Sequence, residues 1–279
     1  MNVLVLSGGG QAGWDMLGAI HHIQEEIPSF NAYVGTSVGG IIATLCSVGF
    51  HAVELFETLQ HVDISNKPSL VRCMEEFGLC DSQPLMNSVT KLLEDKCGPE
   101  PTFKTHHERF GVDLVITGVC VTTQQTEYFR WDTHPDMKLM DAIRITCAVP
   151  ILFVPVKHDD RLYVDGALGD NFPLEYARRT YNDTAKRVVG VTVQSARTQS
   201  TCFFTYVVNV LRFLIDRHQP IAAKALSEDE KCTVTIIPLE QSVSRMFDLF
   251  RNVENKRVLF DHGKESAQKH LKPLPIVNE

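Results

Sequence analysis

Two short apolar runs near the start of the chain constrain its fold more than any other feature. Residues 3–6 and 33–34 each lead into a glycine-containing turn and then into a stretch whose apolar residues recur at helical spacing, at 14–26 and 41–48. An apolar run without alternation is typical of a strand that is buried on both faces. Strands that alternate with helices in this way form a parallel sheet, so the chain is predicted to be an α/β protein.

The rest of the chain extends this pattern. Further strands are predicted at 112–121, 126–131, 161–164, 187–193 and 232–237, and helices at 141–147 and 255–271. Residues 54–109 are helix-rich, broken by prolines and without strong strand signals, so we expect a helical segment that flanks the site. We interpret residues 1–279 as a single domain, because a chain of this length can bury one large core.

Composition excludes several functional classes. The 27 basic and 34 acidic residues give a net charge of −7, which argues against nucleic acid as a partner. The eight cysteines are irregularly spaced without a CxxC pair, so zinc-ribbon and redox sites are not expected and the thiols are interpreted as reduced. Without a signal peptide or an apolar run of about 20 residues, we expect a cytoplasmic or intracellular protein that contacts membranes only peripherally.

The first glycine turn contains the pattern Gly8-x-Gly10-x-x-Gly13 between a strand and a helix. Backbone N–H groups at such a turn can bind the pyrophosphate of a dinucleotide or the oxyanion of an acyl-transfer reaction. A dinucleotide site also needs an acidic residue at the end of the second strand, and this strand ends in Gly35-Thr36-Ser37 instead. The nucleotide-binding interpretation therefore stays as the alternative.

The second glycine turn is Gly35-Thr36-Ser37-Val38-Gly39, which has the GxSxG pattern of a nucleophile elbow. In an elbow, small neighbours allow a tight strand-to-helix turn that exposes the serine hydroxyl at the helix N-terminus. The alternative is a glycine-rich turn in which Ser37 caps the helix. Because a strand is predicted before the turn and a helix after it, the pattern favours Ser37 as a nucleophile.

The partner of Ser37 is less obvious. Only one strand and one helix precede its own strand, which is too early for the α/β-hydrolase fold and its Ser-acid-His order. His218, His262 and His270 follow later in the chain, but none lies in an identifiable strand-end loop. Asp165, in Asp165-Gly166-Ala167 at the end of a predicted strand, could meet another strand-end residue or could simply begin a turn.

Taken together, these three segments resemble the signatures of the patatin-like phospholipase family, in the same order. The glycine turn with Gly18, the Gly35–Gly40 turn and Asp165-Gly166-Ala167 carry the resemblance. Asn171-Phe172-Pro173 is similar to the element that follows the catalytic aspartate in that family. The resemblance covers roughly residues 3 to 270, and it implies a three-layer α/β fold whose central, mostly parallel sheet is flanked by helices.

The resemblance also implies a mechanism. Ser37 would attack a lipid acyl ester, and Asp165 would accept its proton and later deliver it to the leaving alcohol. The oxyanion would bind backbone N–H groups of the first glycine turn and of the elbow, namely Gly8, Gly9, Gly10 and Val38. The family needs no metal and no organic cofactor, so we expect hydrolysis without calcium, on a lipid substrate at a membrane or micelle surface.

Two features depart from the family or fall outside its pattern. Ala12 stands where the family often has Arg or Lys, so a catalytically silent, lipid-binding relative remains an alternative. Residues 202–215 form an aromatic-rich apolar stretch, which is typical of a core helix or of an apolar lip that contacts lipid. Histidine clusters such as His21-His22 lack the spacing of metal ligands and are interpreted as solvated surface.

Overall fold

The structure is a computed structural model that describes residues 1–62, 69–195, 206, 209–211, 213–215, 232–241 and 253–271. Its strands are β1 (Asn2–Leu6), β2 (Ala32–Gly35), β3 (Asp113–Cys120), β4 (Gln125–Phe129), β5 (Val156–His158), β6 (Arg161–Asp165), β7 (Arg187–Ser195) and β8 (Thr233–Gln241). Its helices are α1 (Gly13–Glu26), α2 (Val38–Ser47), α3 (Ala52–Leu59), α4 (Leu70–Glu76), α5 (Gln83–Cys97), α6 (Phe103–Phe110), α7 (Leu139–Thr146), α8 (Ala167–Asp170), α9 (Leu174–Tyr181) and α10 (Val253–His270). A short 3₁₀ turn, Gly10–Ala12, precedes α1.

The strands form one sheet in the order β5-β6-β3-β2-β1-β7-β8, and β4 also pairs with β3. The central pairs β3–β2, β2–β1, β1–β7 and β7–β8 are parallel. The pairs β3–β4, β3–β6 and β5–β6 are antiparallel. The predicted α/β fold with a central, mostly parallel sheet flanked by helices is therefore confirmed.

The two faces of the sheet belong to separate apolar clusters, which accounts for the apolar runs in the sequence. Leu4 and Leu6 of β1 pack in the larger cluster with α1, α2 and α7. Val3 and Val5 pack in the smaller cluster with Leu174 and neighbouring side chains of α9. All four apolar side chains of β1 are fully buried, as expected of a strand that is covered on both faces.

The carboxyl ends of β2 and β6 face each other along one edge of β3. Ile116 of β3 pairs with both β2 and β4, and Val119 pairs with both β4 and β6. Because a strand has two edges, β4 occupies one edge and β2 and β6 share the other. Strands β2 and β6 approach each other from opposite directions along this edge. Gly35 of β2 pairs with Ile116, and Asp165 of β6 pairs with Gly118. This arrangement brings the Gly35–Gly39 turn to the end of β6.

Helices α1 and α10 pack backbone to backbone. A Cβ atom at Gly18 would collide with the carbonyl of Phe260, and one at Gly263 would collide with the carbonyl of Asp15. Asp15 is fully buried, and one of its carboxylate oxygens lies 2.7 Å from His262 Nδ1. This contact joins residues that are 247 positions apart in sequence, and it places α10 against the helix that follows the first glycine turn.

The sequence missed some elements. It did not predict β5 or α9, nor the reversal of direction at β4 and β6. Residues 54–109 contain α3, α4, α5 and α6, and no strand is found in the described part of that segment. The apolar stretch at 202–215 falls mostly outside the described residues. Of the large apolar side chains described there, Leu211 and Ile215 are partly buried and four are exposed: Tyr206, Val210, Phe213 and Leu214.

Candidate active site

Ser37 occupies a strained turn between β2 and α2. Its backbone has φ 54° and ψ −128°, a conformation that residues with a Cβ atom rarely adopt. A Cβ atom at Gly35 would lie 2.5 Å from the Gly39 carbonyl oxygen, so the bend needs glycine there. The Gly40 N–H donates to the Ser37 carbonyl at 2.8 Å and closes the turn. This geometry is that of a nucleophile elbow and explains why the pattern requires small residues.

The Ser37 hydroxyl donates a hydrogen bond to Asp165. The distance from Oγ to Oδ2 is 2.8 Å, although the two residues are 128 positions apart in sequence. The other oxygen, Oδ1, accepts the Ala167 N–H at 2.8 Å. A Cβ atom at Gly166 would collide with the Thr117 carbonyl, so glycine is needed for this turn to lie against β3. Both carboxylate oxygens are thus fixed, with one aimed at the serine.

Burial sets the proton affinity of this carboxyl group. Asp165 is 1% exposed, and removal from water raises its pKa to about 7, although hydrogen bonds from Ala167 and Ser37 act in the opposite direction. Burial disfavours the charged form of a carboxyl group, whereas donors to the carboxylate favour it. A proton acceptor with a pKa close to neutral can both take and return a proton at physiological pH.

The C-terminal end of α7 holds both residues in place. Thr146 Oγ1 accepts the Ser37 backbone N–H at 2.8 Å, and the Ala148 carbonyl accepts the Asp165 backbone N–H at 2.9 Å. Between them, the Cys147 thiol contacts Ser37, and burial together with the Asp165 charge raises the pKa of that thiol. Sequence reasoning missed the role of Thr146. The available signal was a polar residue at the end of an otherwise apolar helix face.

The first glycine turn lies against the elbow. A Cβ atom at Gly8 would collide with the Asn171 side chain and lie 3.1 Å from Ser37 Cβ. The Gly8 N–H, however, donates to the Asn171 carbonyl at 3.0 Å, so it is already engaged. Within the described residues, the N–H groups of Gly9, Gly10 and Val38 have no hydrogen-bond acceptor. These three N–H groups, and not that of Gly8, are free to bind an oxyanion.

Apolar packing holds the first glycine turn in place at Ala12, the position where the family often has a basic residue. Ala12 is fully buried, and a Cβ atom at Gly9 would lie 3.1 Å from Ala12 Cβ. Gly13 begins α1 directly against Val38, since a Cβ atom there would lie 2.6 Å from Val38 Cγ2. Position 12 therefore points into the protein, and the loop is held without a charge at this position.

Histidines and metals do not enter this geometry in the described part of the chain. His262 contacts Asp15, and His270 contacts the Ser266 carbonyl, so neither is a partner of Ser37. His218 lies outside the described residues. Among the residues described, no group of three or more His, Cys, Asp or Glu side chains could hold a metal ion. No helix in the described ranges is both long enough and apolar enough to cross a membrane.

Comparison with known proteins identifies the family that this chain resembles. A family model described as patatin-like phospholipase matches residues 4–178. The probable lipid hydrolase 463L of Invertebrate iridescent virus 6 is 29% identical over 217 residues, which cover 74% of this chain and 72% of that protein. A cGAMP-activated phospholipase of Escherichia coli (strain TW11681) is 28% identical over 199 residues, 62% of this chain and 53% of its own length. The chain thus spans about half of that relative.

A solved structure supports the fold independently. VipD from Legionella pneumophila superimposes with a TM-score of 0.58 at 14% identity, over 96% of this chain and 66% of VipD. At this level of identity the likeness concerns the architecture alone.

Proposed function

The chain belongs to the patatin-like phospholipase family, and from this premise we propose that it is a serine hydrolase that cleaves fatty-acyl esters of phospholipids or related lipids. The observation that carries the proposal is the 2.8 Å hydrogen bond from Ser37 Oγ to the buried carboxylate of Asp165. The printed name of the viral relative, a probable lipid hydrolase, supports the same substrate class. Lipid hydrolysis is thus the activity that family and geometry support together.

In the proposed reaction, Ser37 Oγ attacks the ester carbonyl carbon while Asp165 Oδ2 accepts the hydroxyl proton. The carbonyl oxygen becomes an oxyanion and receives hydrogen bonds from the N–H groups of Gly9, Gly10 and Val38. The tetrahedral intermediate then collapses, and the leaving alcohol takes the proton from Asp165. The fatty acid remains bound to Ser37 as an ester, which is the acyl-enzyme.

Water releases the fatty acid in the second half of the reaction. Asp165 accepts a proton from the attacking water molecule, and the same N–H groups stabilise the second oxyanion. Collapse of this intermediate breaks the bond to Ser37 Oγ, which recovers its proton from Asp165. Each step uses only groups of this chain, so we propose that hydrolysis does not require calcium.

We also propose that residues 1–279 form one domain that acts at the surface of membranes or micelles within the cell. In support, the described strands all join one sheet, and α10 packs on α1 near the other end of the chain. The helices between 54 and 109 flank this sheet, as α5 contacts α2 and α7.

Labelling with a fluorophosphonate probe tests the proposed nucleophile. The unmodified chain should be labelled at Ser37, and both Ser37→Ala and Asp165→Asn should lose labelling and turnover of a soluble acyl ester. Ser47→Ala is the matched control, because Ser47 is a buried serine whose hydroxyl lies 2.8 Å from His106 Nε2. It should remain fully labelled. Wild-type turnover in either dyad variant would contradict the mechanism.

Two further measurements separate the alternatives. Unchanged turnover in excess chelator is expected, and a loss that calcium restores would contradict the metal-independent reaction. Absence of labelling in the well-folded, unmodified chain would favour a silent lipid-binding relative. A rise in melting temperature on addition of NAD or FAD would instead support nucleotide binding by the Gly8–Gly13 turn.

A further inference from the structure

Five large apolar side chains on two joined segments of the chain are exposed to solvent. They come from α4 and the residue after it, and from the turn that precedes β5. Exposure is highest on the helix and lower on the turn, and we call this set the apolar patch: Val71 (65%), Met74 (84%), Phe77 (69%), Ile151 (40%) and Val154 (38%). Val71 and Met74 are three residues apart and so share one face of α4.

Backbone hydrogen bonds join the two segments of the apolar patch. The Leu79 N–H donates to the Ile151 carbonyl at 2.8 Å, and the Cys80 N–H donates to the Leu152 carbonyl at 2.8 Å. A Cβ atom at Gly78 would lie 2.5 Å from the Val154 backbone nitrogen, so the segments touch directly. The two segments are therefore fixed relative to each other, and the apolar patch is one continuous surface.

Backbone strain marks two members of the apolar patch. Phe77 has φ 64° and Ile151 has φ 71°, in the left-handed region that bulky and β-branched residues avoid. Phe77 gains little burial in return, and Ile151 remains 40% exposed. Packing and backbone preference thus give no reason for an aromatic or a β-branched residue at these two positions, which points to a role in contacting something outside the chain.

The apolar patch adjoins the dyad through a short stretch of chain. Ala148, whose carbonyl holds the Asp165 backbone, is three residues before Ile151, and the Phe153 N–H bonds back to the Val149 carbonyl at 2.9 Å. The turn that carries Ile151 and Val154 thus continues directly from the segment that holds Asp165.

The charges near the apolar patch decide which kind of surface fits it. Residues 69–83 contain one basic side chain, Arg72, and three acidic ones. Arg72 lies 2.8 Å from Glu76 and 3.7 Å from Asp81, so its charge is compensated within the protein. Attraction to anionic lipid requires basic residues that face the membrane. Lys157, which follows the other segment of the apolar patch, lies 3.3 Å from Asp160. The surround of the apolar patch is therefore net acidic and fits a zwitterionic lipid surface instead.

We propose that the apolar patch docks the protein on zwitterionic bilayers of the phosphatidylcholine type and delivers their esters to Ser37. The inference rests on the proposed function, because it assumes that the substrate is a lipid. Burial of apolar side chains in the bilayer supplies the binding free energy, and net anionic charge in the lipid adds little to it.

Vesicle binding tests this inference without hydrolysis. The full chain with Ser37→Ala is titrated with phosphatidylcholine vesicles, alone and with about a third of anionic lipid, and bound protein is measured by co-sedimentation. Adding Met74→Ser and Phe77→Asn should weaken binding at least about tenfold, the effect of withdrawing two side chains from an apolar phase. Asn tolerates the left-handed backbone at position 77, so the variant should fold normally. Val121→Ser, which removes an apolar side chain that is 44% exposed elsewhere, is the matched control and should bind unchanged.

Activity separates this inference from the proposed function. With Ser37 intact, the apolar-patch variant should hydrolyse a soluble short-chain ester at the normal rate and vesicle lipid at least about tenfold more slowly. If the unmodified chain does not hydrolyse the soluble ester, the proposed function is contradicted, but the vesicle-binding result remains valid. Three results would overturn the docking proposal. The variant and the parent could bind vesicles equally, or binding could depend strongly on anionic lipid. The parent could also be a dimer that the substitutions convert to a monomer.

Discussion

Replacement of Asp165 by Asn should abolish ester hydrolysis and yet stabilise the fold at alkaline pH. Burial raises the pKa of Asp165 from its ordinary value of 3.8 to about 7. Well below pH 3.8 the carboxyl group is protonated in both the folded and the unfolded chain and carries no penalty. Between these two pKa values the unfolded chain ionises first, so the folded state loses about 1.4 kcal/mol per pH unit. Above pH 7 the penalty levels off at about 4 kcal/mol.

Asn cannot ionise, so it removes this dependence on pH. The free energy of unfolding of the variant relative to the parent should increase by about 2 to 3 kcal/mol between pH 5 and pH 8. Lost or altered hydrogen bonds to Ser37 and Ala167 change the stability of the variant equally at pH 5 and at pH 8. They therefore do not affect the expected change between the two pH values. Urea denaturation at the two pH values measures it, with turnover of a soluble ester measured in parallel. A stability difference that is the same at pH 5 and pH 8 would refute the claim that burial raises this pKa.

Three further predictions follow from the same contacts. If Asp165 is the proton acceptor, kcat/KM on a soluble ester should rise with one ionisation near pH 7 and stay flat to pH 9; a profile that falls over this range would exclude it. Ser37→Gly should be more stable to urea than Ser37→Ala by about 1 kcal/mol, because both lose the hydroxyl and only glycine relieves the positive φ; the reverse order would show that the elbow is not strained. Thr146→Val removes the acceptor of the Ser37 N–H and should lower kcat about 10- to 100-fold with little change in KM. Thr146→Ser keeps the hydroxyl and should retain activity. If the two substitutions have equal effects, the role of Thr146 is purely steric.

Local chemistry predicted the two glycine turns and Ser37 as a candidate nucleophile, whereas Asp165 as its partner was implied by the resemblance to the family. A GxSxG turn between a strand and a helix, a glycine turn before α1 and an Asp-Gly-Ala turn each need particular small residues at fixed spacing. Their partners were not predictable in the same way. The Thr146 hydroxyl and the Asn171 carbonyl interact with Ser37 and Gly8 across more than a hundred residues, so no local pattern shows which residue each of them contacts.

The sequence by itself determined the α/β class. Apolar strands that alternate with helices form a parallel sheet, and the helices then cover both faces of that sheet. It also determined which residues form the two turns, because the backbone must bend sharply and come close to its neighbours there. Only the tertiary structure decided that β6 runs antiparallel to β3 and meets the end of β2, and hence that Ser37 and Asp165 share a hydrogen bond. It also decided that burial raises the pKa of Asp165 and that the Gly8 N–H is already bonded. Strand direction and burial depend on contacts between distant segments, and those exist only once the whole sheet has formed.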